Sequence, residues 1–471
     1  MSHSLAPQWR HIPENPNALH AGVWPASSHR DTAGELIFGG VSARELVDTY
    51  GTPLYVVDQE EVEARVVQFR DIVATLCEAH GVKGLVYYAS KALTTGHVVR
   101  WVSDLGVGFD VASGGEMAIA LAGGATAAHL EFQGNNKSVA EIRDALRAGV
   151  GCIVIDAPIE AARIDAAAGE LGVIASVMVR VNTGVHADTH EYLATAREDQ
   201  KFGLSPEETL TLVADIRQRT NLQFEGLHSH IGSQIFEVDG FLEAATRIMD
   251  LYQKLLPHGA VPTLNLGGGF GIAYTEADQP MDIHAMMTAI VDHVATEASS
   301  RGVPMPDLAF EPGRMITGPA GVTLYRVGVV KPVVVRGDDG SEATRVYVSV
   351  DGGMSDNARP ALYRADYSTR IASRISEAPP ALVRVVGKHC ESGDIVVDAD
   401  YLPSDVAPGD VLAIAATGAY CYSLSSNYNA LGRPPMVGVH DGAHFVMVQG
   451  ESITDVLSRD QGFAKKVEAK A

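Results

Sequence analysis

From about residue 54 the chain alternates short apolar, β-branched runs with Ala-, Glu- and Arg-rich stretches of helical spacing, and no other feature restricts its fold as tightly. Counting from Leu85, the strand candidates are LVYYAS, VGFDV, AHLEF, CIVID, SVMVRV, FEGLHSH, TLNLG and DLAFE. They make eight β/α units over about 230 residues, the size and strand count of a (β/α)8 TIM-type barrel, so the fold class is α/β. The run LYVVD at 54–58 and the helix after it precede the first barrel strand. After Gly318 the strand-like segments lie closer together, separated by Gly, Pro and Asp turns, which reads as a mostly antiparallel, β-barrel-like second domain. The expected organisation is an N-terminal arm over 1–50 that packs with the β domain, a barrel over 51–320 and a β domain over 321–471.

Charge narrows the partners. With 36 Lys+Arg against 58 Asp+Glu the net charge is −22, which disfavours a phosphate-backbone clamp, so nucleic acid is not an expected partner. No run approaches the roughly 18 to 20 apolar residues of a membrane span, and the start MSHSLAPQWR lacks the basic and apolar regions of a secretion signal. A cytoplasmic protein with no membrane partner is expected. Cys77, Cys152, Cys390 and Cys421 are too scattered for a disulfide framework or a zinc pair, and no metal is expected.

In such a barrel the chemistry gathers where the strands end, and phosphate is held after strands seven and eight. Nearly every strand here stops at a polar or glycine-rich group. Lys91, Asp110 with Ser113 and Glu116, Asn135, Asp156, Arg180 and His228 with His230 and Ser233 stand there, as do Gly267–Gly269 and Glu311-Pro312-Gly313-Arg314. NLGGGFG fails the dinucleotide fingerprint because position 272 is Ile; it is either a tight βα loop or a nest of N–H groups for phosphate, with Arg314 as the neutralising charge. Lys91 is either a rim lysine that snorkels or a buried amine able to form a Schiff base with a carbonyl cofactor, for which pyridoxal phosphate is the natural candidate. Glu311 is a loop carboxylate or the partner of that cofactor's ring nitrogen. His230 is a structural hydrogen-bonder or a ring-stacking group. In the β domain, Cys390 of KHCESGD is incidental or a proton donor, and Glu391 reads a substrate ammonium if the segment meets the barrel mouth. Arg359, Tyr363 and Tyr420 are candidate carboxylate binders.

Taken in order, GTPLYVVD, YYASKA, GFDVASGGE, HSHIGSQ, NLGGGFG, EPGR, SDNARPALY, HCESGD and GAYCYSLSSNYNALGRP resemble the fold-type III pyridoxal-phosphate decarboxylases, most closely the diaminopimelate decarboxylases, over some 380 residues. The resemblance implies that Lys91 forms the internal aldimine, His230 stacks on the ring and Glu311 pairs with its nitrogen. Asp110, Ser233, Gly268, Gly269, Pro312, Gly313, Arg314 and Tyr420 would complete the cofactor site. Arg314, Arg359, Tyr363, Glu391 and Tyr420 would bind the amino-acid substrate, and Cys390 would reprotonate the quinonoid carbon after CO2 leaves. It further implies conversion of meso-2,6-diaminopimelate to L-lysine through an external aldimine, in a homodimer whose HCESGD segment crosses to the partner. An ornithine- or arginine-type decarboxylase, a racemase and a non-catalytic regulator are the competing readings. One residue departs from the pattern: His186 stands where the family more often has Asp.

Overall fold

The computed structural model describes residues 4–185, 201–336 and 342–463, and it divides into two units; His186 lies outside the described residues. One unit comprises Glu63–Gly271 and Pro280–Ile316. Its eight strands are Gly84–Ala89, Gly108–Val111, Leu130–Phe132, Cys152–Ile155, Ala175–Arg180, Leu222–His228, Thr263–Asn265 and Asp307–Phe310. All pair in parallel, and Leu308 opposite Gly84 closes the barrel. Strands covered on both faces read as continuous apolar runs, so a charged or amide side chain inside one is costly unless partnered. Asp110, Glu131, His228 and Asn265 are such interruptions, each at most 3% exposed.

The connecting helices begin and end on local signals. Val139–Ala148 starts with the reciprocal Ser138–Glu141 capping box and stops at Gly149, whose φ of 77° is left-handed. Pro206–Ile216 repeats the box with Ser205 and Glu208, and Pro158–Leu171 opens on proline. In the sixth strand the register shifts between Phe224 and Gly226, where a Cβ would stand 1.9 Å from the Thr263 carbonyl. This irregularity sits just before His228 and sets which way the strand's last side chains face.

The other unit comprises Met1–Val62, Ile272–Gln279 and Thr317–Ala471. Its sheet runs Ile395–Pro403, Pro380–Val386, Glu342–Val350, Gly321–Arg336, Leu54–Asp58, Met436–His440 and Ala443–Val448, with Thr369–Ile371 and Val411–Ile414 branching from the long fourth strand. Most pairs are antiparallel; Glu342–Val350 with Pro380–Val386 and Leu54–Asp58 with Met436–His440 are parallel. Leu54–Asp58 therefore lies inside the β sheet, and the barrel boundary expected at 51 falls after Val62 instead. Trp24, Phe38, Leu46, Val56, Leu324 and Val437 share one core, each side chain worth about 1.5 to 3 kcal/mol on burial. The arm adds Arg10, 1% exposed, whose guanidinium donates to Asp400 at 3.0 Å. Asp400 also receives Arg370 at 3.1 Å, so one buried carboxylate ties two arginines together.

Candidate active site

The barrel unit gathers most of the sequence-predicted residues at one end. Lys91 lies in a 3-10 turn, Ser90–Ala92, directly after the first strand. Its Nζ is 3.6 Å from Asp110 Oδ2, at the end of the second strand, yet the lysine side chain is 43% exposed. Of the two readings of Lys91, the exposure matches a lysine at the barrel rim and not a buried amine: the turn carries it past the apolar part of the strand. Asp110 is the buried member of the pair. Burial pushes its carboxyl up to about 7; Lys91 opposes that, while Glu311 and Glu116 add to it. Its Oδ1 has no hydrogen-bond partner among the described residues.

Glu311 ends the eighth strand, 3% exposed. Its Oε1 accepts from Gln133 Nε2 at 2.8 Å and Asn265 Nδ2 at 2.9 Å, and His228 Nε2 stands 3.0 Å away. Burial alone would raise its pKa; His228, through its charge and its hydrogen bond, and Lys91 outweigh it and hold the carboxyl at about 2. Directly beneath, Asn265 Nδ2 also donates to Glu131 Oε2 at 2.7 Å. Glu131, with no exposure, is driven well above the usual carboxylate range by burial and by the charges of Glu311 and Asp110. The two carboxyls are shifted in opposite directions and are linked through a single amide.

His230 is held neutral by burial, with Lys91 and Arg180 adding to the effect, and its Nδ1 accepts from the Gly268 N–H at 3.2 Å. Gly267 N–H donates to Asn265 Oδ1 at 2.9 Å. Two of the three glycine N–H groups are therefore spent inside the loop, so Gly268 does not offer its N–H to a phosphate in this arrangement. What demands glycine is space: a Cβ at Gly268 would sit 1.9 Å from the Glu311 carbonyl, and one at Gly269, with φ 111°, would sit 2.4 Å from that of Gly232. Gly313 is less tight, with a Cβ there 2.9 Å from the Ala89 side chain. Pro312 is buried between Glu311 and Gly313, and its carbonyl accepts from Ala89 N–H at 3.0 Å. Arg314 donates to Ser233 Oγ at 2.7 Å, joining the loops after the sixth and eighth strands.

The β unit holds the rest. Arg359, 6% exposed, donates to the Tyr367 hydroxyl at 2.5 Å and stacks 4.6 Å over the Tyr274 ring. Tyr363, on the same five-residue helix, is 61% exposed, so the two expected carboxylate binders point to different surroundings. Of the four cysteines Cys390 alone is exposed. Its N–H donates to Asn429 Oδ1 at 3.1 Å, and Glu391 accepts from the Tyr428 hydroxyl at 2.6 Å. Tyr420 has φ 65°, a left-handed backbone that a tyrosine adopts at a cost of about 1 to 3 kcal/mol, and such strain gathers at functional positions.

Sequence reasoning missed Gln133, Glu131 and Asn265 and left His228 without a role; Tyr274, Tyr367 and Tyr428 were also unforeseen. The signal for the first group was a polar side chain inside an otherwise apolar strand.

A family profile described as pyridoxal-dependent decarboxylase, pyridoxal binding domain, matches residues 60–318. The chain is 46% identical over 448 residues to the diaminopimelate decarboxylase of Mycobacterium tuberculosis (strain H37Rv), covering 93% of this chain and 98% of the relative. It is 40% identical over 441 residues to that of Bacillus subtilis, covering 93% and 98%. The crystal structure of diaminopimelate decarboxylase from M. jannaschii in complex with L-lysine superposes with a TM-score of 0.85 at 31% identity, covering 93% of this chain and 98% of that one.

Proposed function

The chain belongs to the diaminopimelate decarboxylase family of pyridoxal-dependent decarboxylases, and from that membership we propose that it removes CO2 from meso-2,6-diaminopimelate to give L-lysine, the last step of lysine biosynthesis. The observation that carries the reading is Glu311: a buried carboxyl directly after the eighth strand, oriented by Gln133, Asn265 and His228 within 3.0 Å of its Oε1. When bound, pyridoxal phosphate supplies an electron sink for the pair left at Cα as CO2 departs. An ionised carboxylate keeps a pyridinium nitrogen protonated, which favours loss of CO2; a racemase would set a basic group there to restrain that pull.

The residues at the barrel mouth fit this cofactor. A buried anion lies ready for the ring nitrogen, and Asp110 presents an unpartnered oxygen. Lys91 would anchor the cofactor through its amine, and His230 would lie against the ring. Ser233 and Arg314, already joined, hold the phosphate together with Gly269, Pro312, Gly313 and Tyr420. Cys390 returns the proton to the reacting carbon. Glu391 reads the ammonium at the remote L-centre, while Arg314, Arg359, Tyr363 and Tyr420 bind carboxylates. Binding far from the reaction orients the scissile bond. The assembly is a homodimer that shares its sites and works in the cytoplasm; among the described residues no helix is long and apolar enough to cross a membrane.

Turnover should be at least about 1,000-fold better with meso-diaminopimelate than with ornithine, arginine or lysine, because a substrate without the second carboxylate leaves the buried Arg359 unpaired. Comparable rates with ornithine or arginine would move the chain to that decarboxylase type, and no turnover of any of them by the cofactor-loaded protein would indicate a regulator.

A further inference from the structure

The HCESGD loop is held from below by a segment that no assigned role explains. His389 has a fully buried side chain whose Nδ1 lies 2.9 Å from Asp394 Oδ2. Asp394 also accepts from the N–H groups of His389 at 2.8 Å and Met354 at 2.6 Å, so the imidazole plane is fixed by the fold. Against that plane stacks Tyr428, centroids 5.7 Å apart and planes 6° from parallel. The ring cannot swing without leaving the imidazole, and its hydroxyl is aimed at Glu391 Oε1, 2.6 Å away. The next residue, Asn429, has φ 52° and accepts the Cys390 N–H. Ser426, two residues earlier, is pinned by its N–H to the Ser355 carbonyl at 2.8 Å. Glu391 and Tyr428 are the acid and the phenol on a cavity of about 280 Å³ otherwise walled by Met354, Ala358, Ala361 and Leu362, with Ser426.

Glu391 sits on an exposed glycine-bounded turn, where a free glutamate samples several rotamers and loses entropy on meeting a cation. A fixed phenol that donates to one carboxylate oxygen removes part of that loss and leaves the other oxygen to accept from a cation. We infer that Tyr428 is a positioning residue for substrate selection: braced by the His389–Asp394 pair, it holds Glu391 in the orientation that receives the ammonium of the remote amino-acid centre. This rests on the reading of Glu391 given above.

The test measures KM and kcat for meso-diaminopimelate, and the affinity for L-lysine by calorimetry, on the cofactor-loaded enzyme and its Tyr428→Phe, Glu391→Ala and double variants. L-lysine keeps the remote centre intact and lacks only the scissile carboxylate, and its ε-amine meets the cofactor equally in all variants, so differences in its binding between them report the remote subsite. Tyr428→Phe keeps the stacked ring and removes the hydroxyl; KM and the lysine dissociation constant should rise about 3- to 10-fold while kcat holds within about twofold. Glu391→Ala should cost more, and the double variant should match Glu391→Ala alone, because the hydroxyl acts through the carboxylate. If Glu391→Ala leaves KM and lysine affinity unchanged, the reading of Glu391 falls and the inference with it. If Glu391→Ala weakens both but Tyr428→Phe does not, or the two effects add, the inference alone is overturned. A loss of kcat parallel to KM in Tyr428→Phe overturns it too, since it would mark general support of the loop.

Discussion

Replacing Asp110 by Asn should make the cofactor-free protein more stable at neutral pH than at acid pH relative to the parent, and the size follows from where the carboxyl sits. In the unfolded chain Asp110 titrates at its ordinary 3.8; in the barrel it titrates at about 7, because burial penalises its charge, Lys91 offsets part of that, and Glu311 adds repulsion. A raised carboxyl pKa means the native state binds more protons across that interval. The stability associated with the protonated side chain is complete below pH 3.8 and is lost as pH rises through about 7. At about 1.36 kcal/mol per pH unit the full loss is on the order of 4 kcal/mol. Asp110→Asn has nearly the same shape and does not titrate. Denaturant unfolding of both proteins at about pH 5 and about pH 8 should show the variant-minus-parent difference growing by roughly 3 kcal/mol. A difference equal at the two pH values refutes the account. Because burial is the leading cause, Glu311→Gln should leave most of the parent's pH slope intact; its disappearance would assign the shift to charge repulsion.

Lys91→Ala should abolish the visible absorbance of the cofactor-loaded enzyme, and yellow colour that survives extensive dialysis would show that Lys91 is not the anchor. Asp400→Asn should cost about 3 to 5 kcal/mol in denaturant unfolding, because Arg370 would be left buried without a counter-charge and Arg10 with only Glu276 at 3.7 Å. A cost below about 1 kcal/mol would mean that water or a rotamer change reaches those guanidinium groups.

The barrel was legible because its strands are short apolar runs at regular spacing, and because polar residues cluster where those runs stop. Leu54–Asp58 followed by the helix Gln59–Ala79 looks locally like one more β/α unit. Only its ladders to Gly321–Leu324 and Met436–Val439 reveal its sheet, and pairing at that separation leaves no local trace. The site shows the same division. Lys91, Glu311 and Arg314 stand out by position, and Gly268 by type. The reason for Gly268, its approach to the Glu311 carbonyl, and the amide bridge from Glu131 through Asn265 to Glu311 depend on which strands become neighbours. The exposure of Lys91 stayed open between rim and interior because an apolar stretch in sequence says nothing of where a turn releases its last side chain.

The central place of Leu54–Asp58 in its sheet has a consequence for biosynthesis. One neighbour, Met436–His440, begins 378 residues after Asp58. At about 5 to 20 residues per second a ribosome needs roughly 20 to 75 s to supply it. During that interval the whole barrel sequence emerges and has its complete set of parallel partners, while an apolar strand waits with an unpaired edge. The nascent chain thus has a defined period of vulnerability, which ends when Met436–His440 and Ala443–Val448 leave the tunnel, and a chaperone that shields short hydrophobic strands would act on this protein early and over residues 54–58.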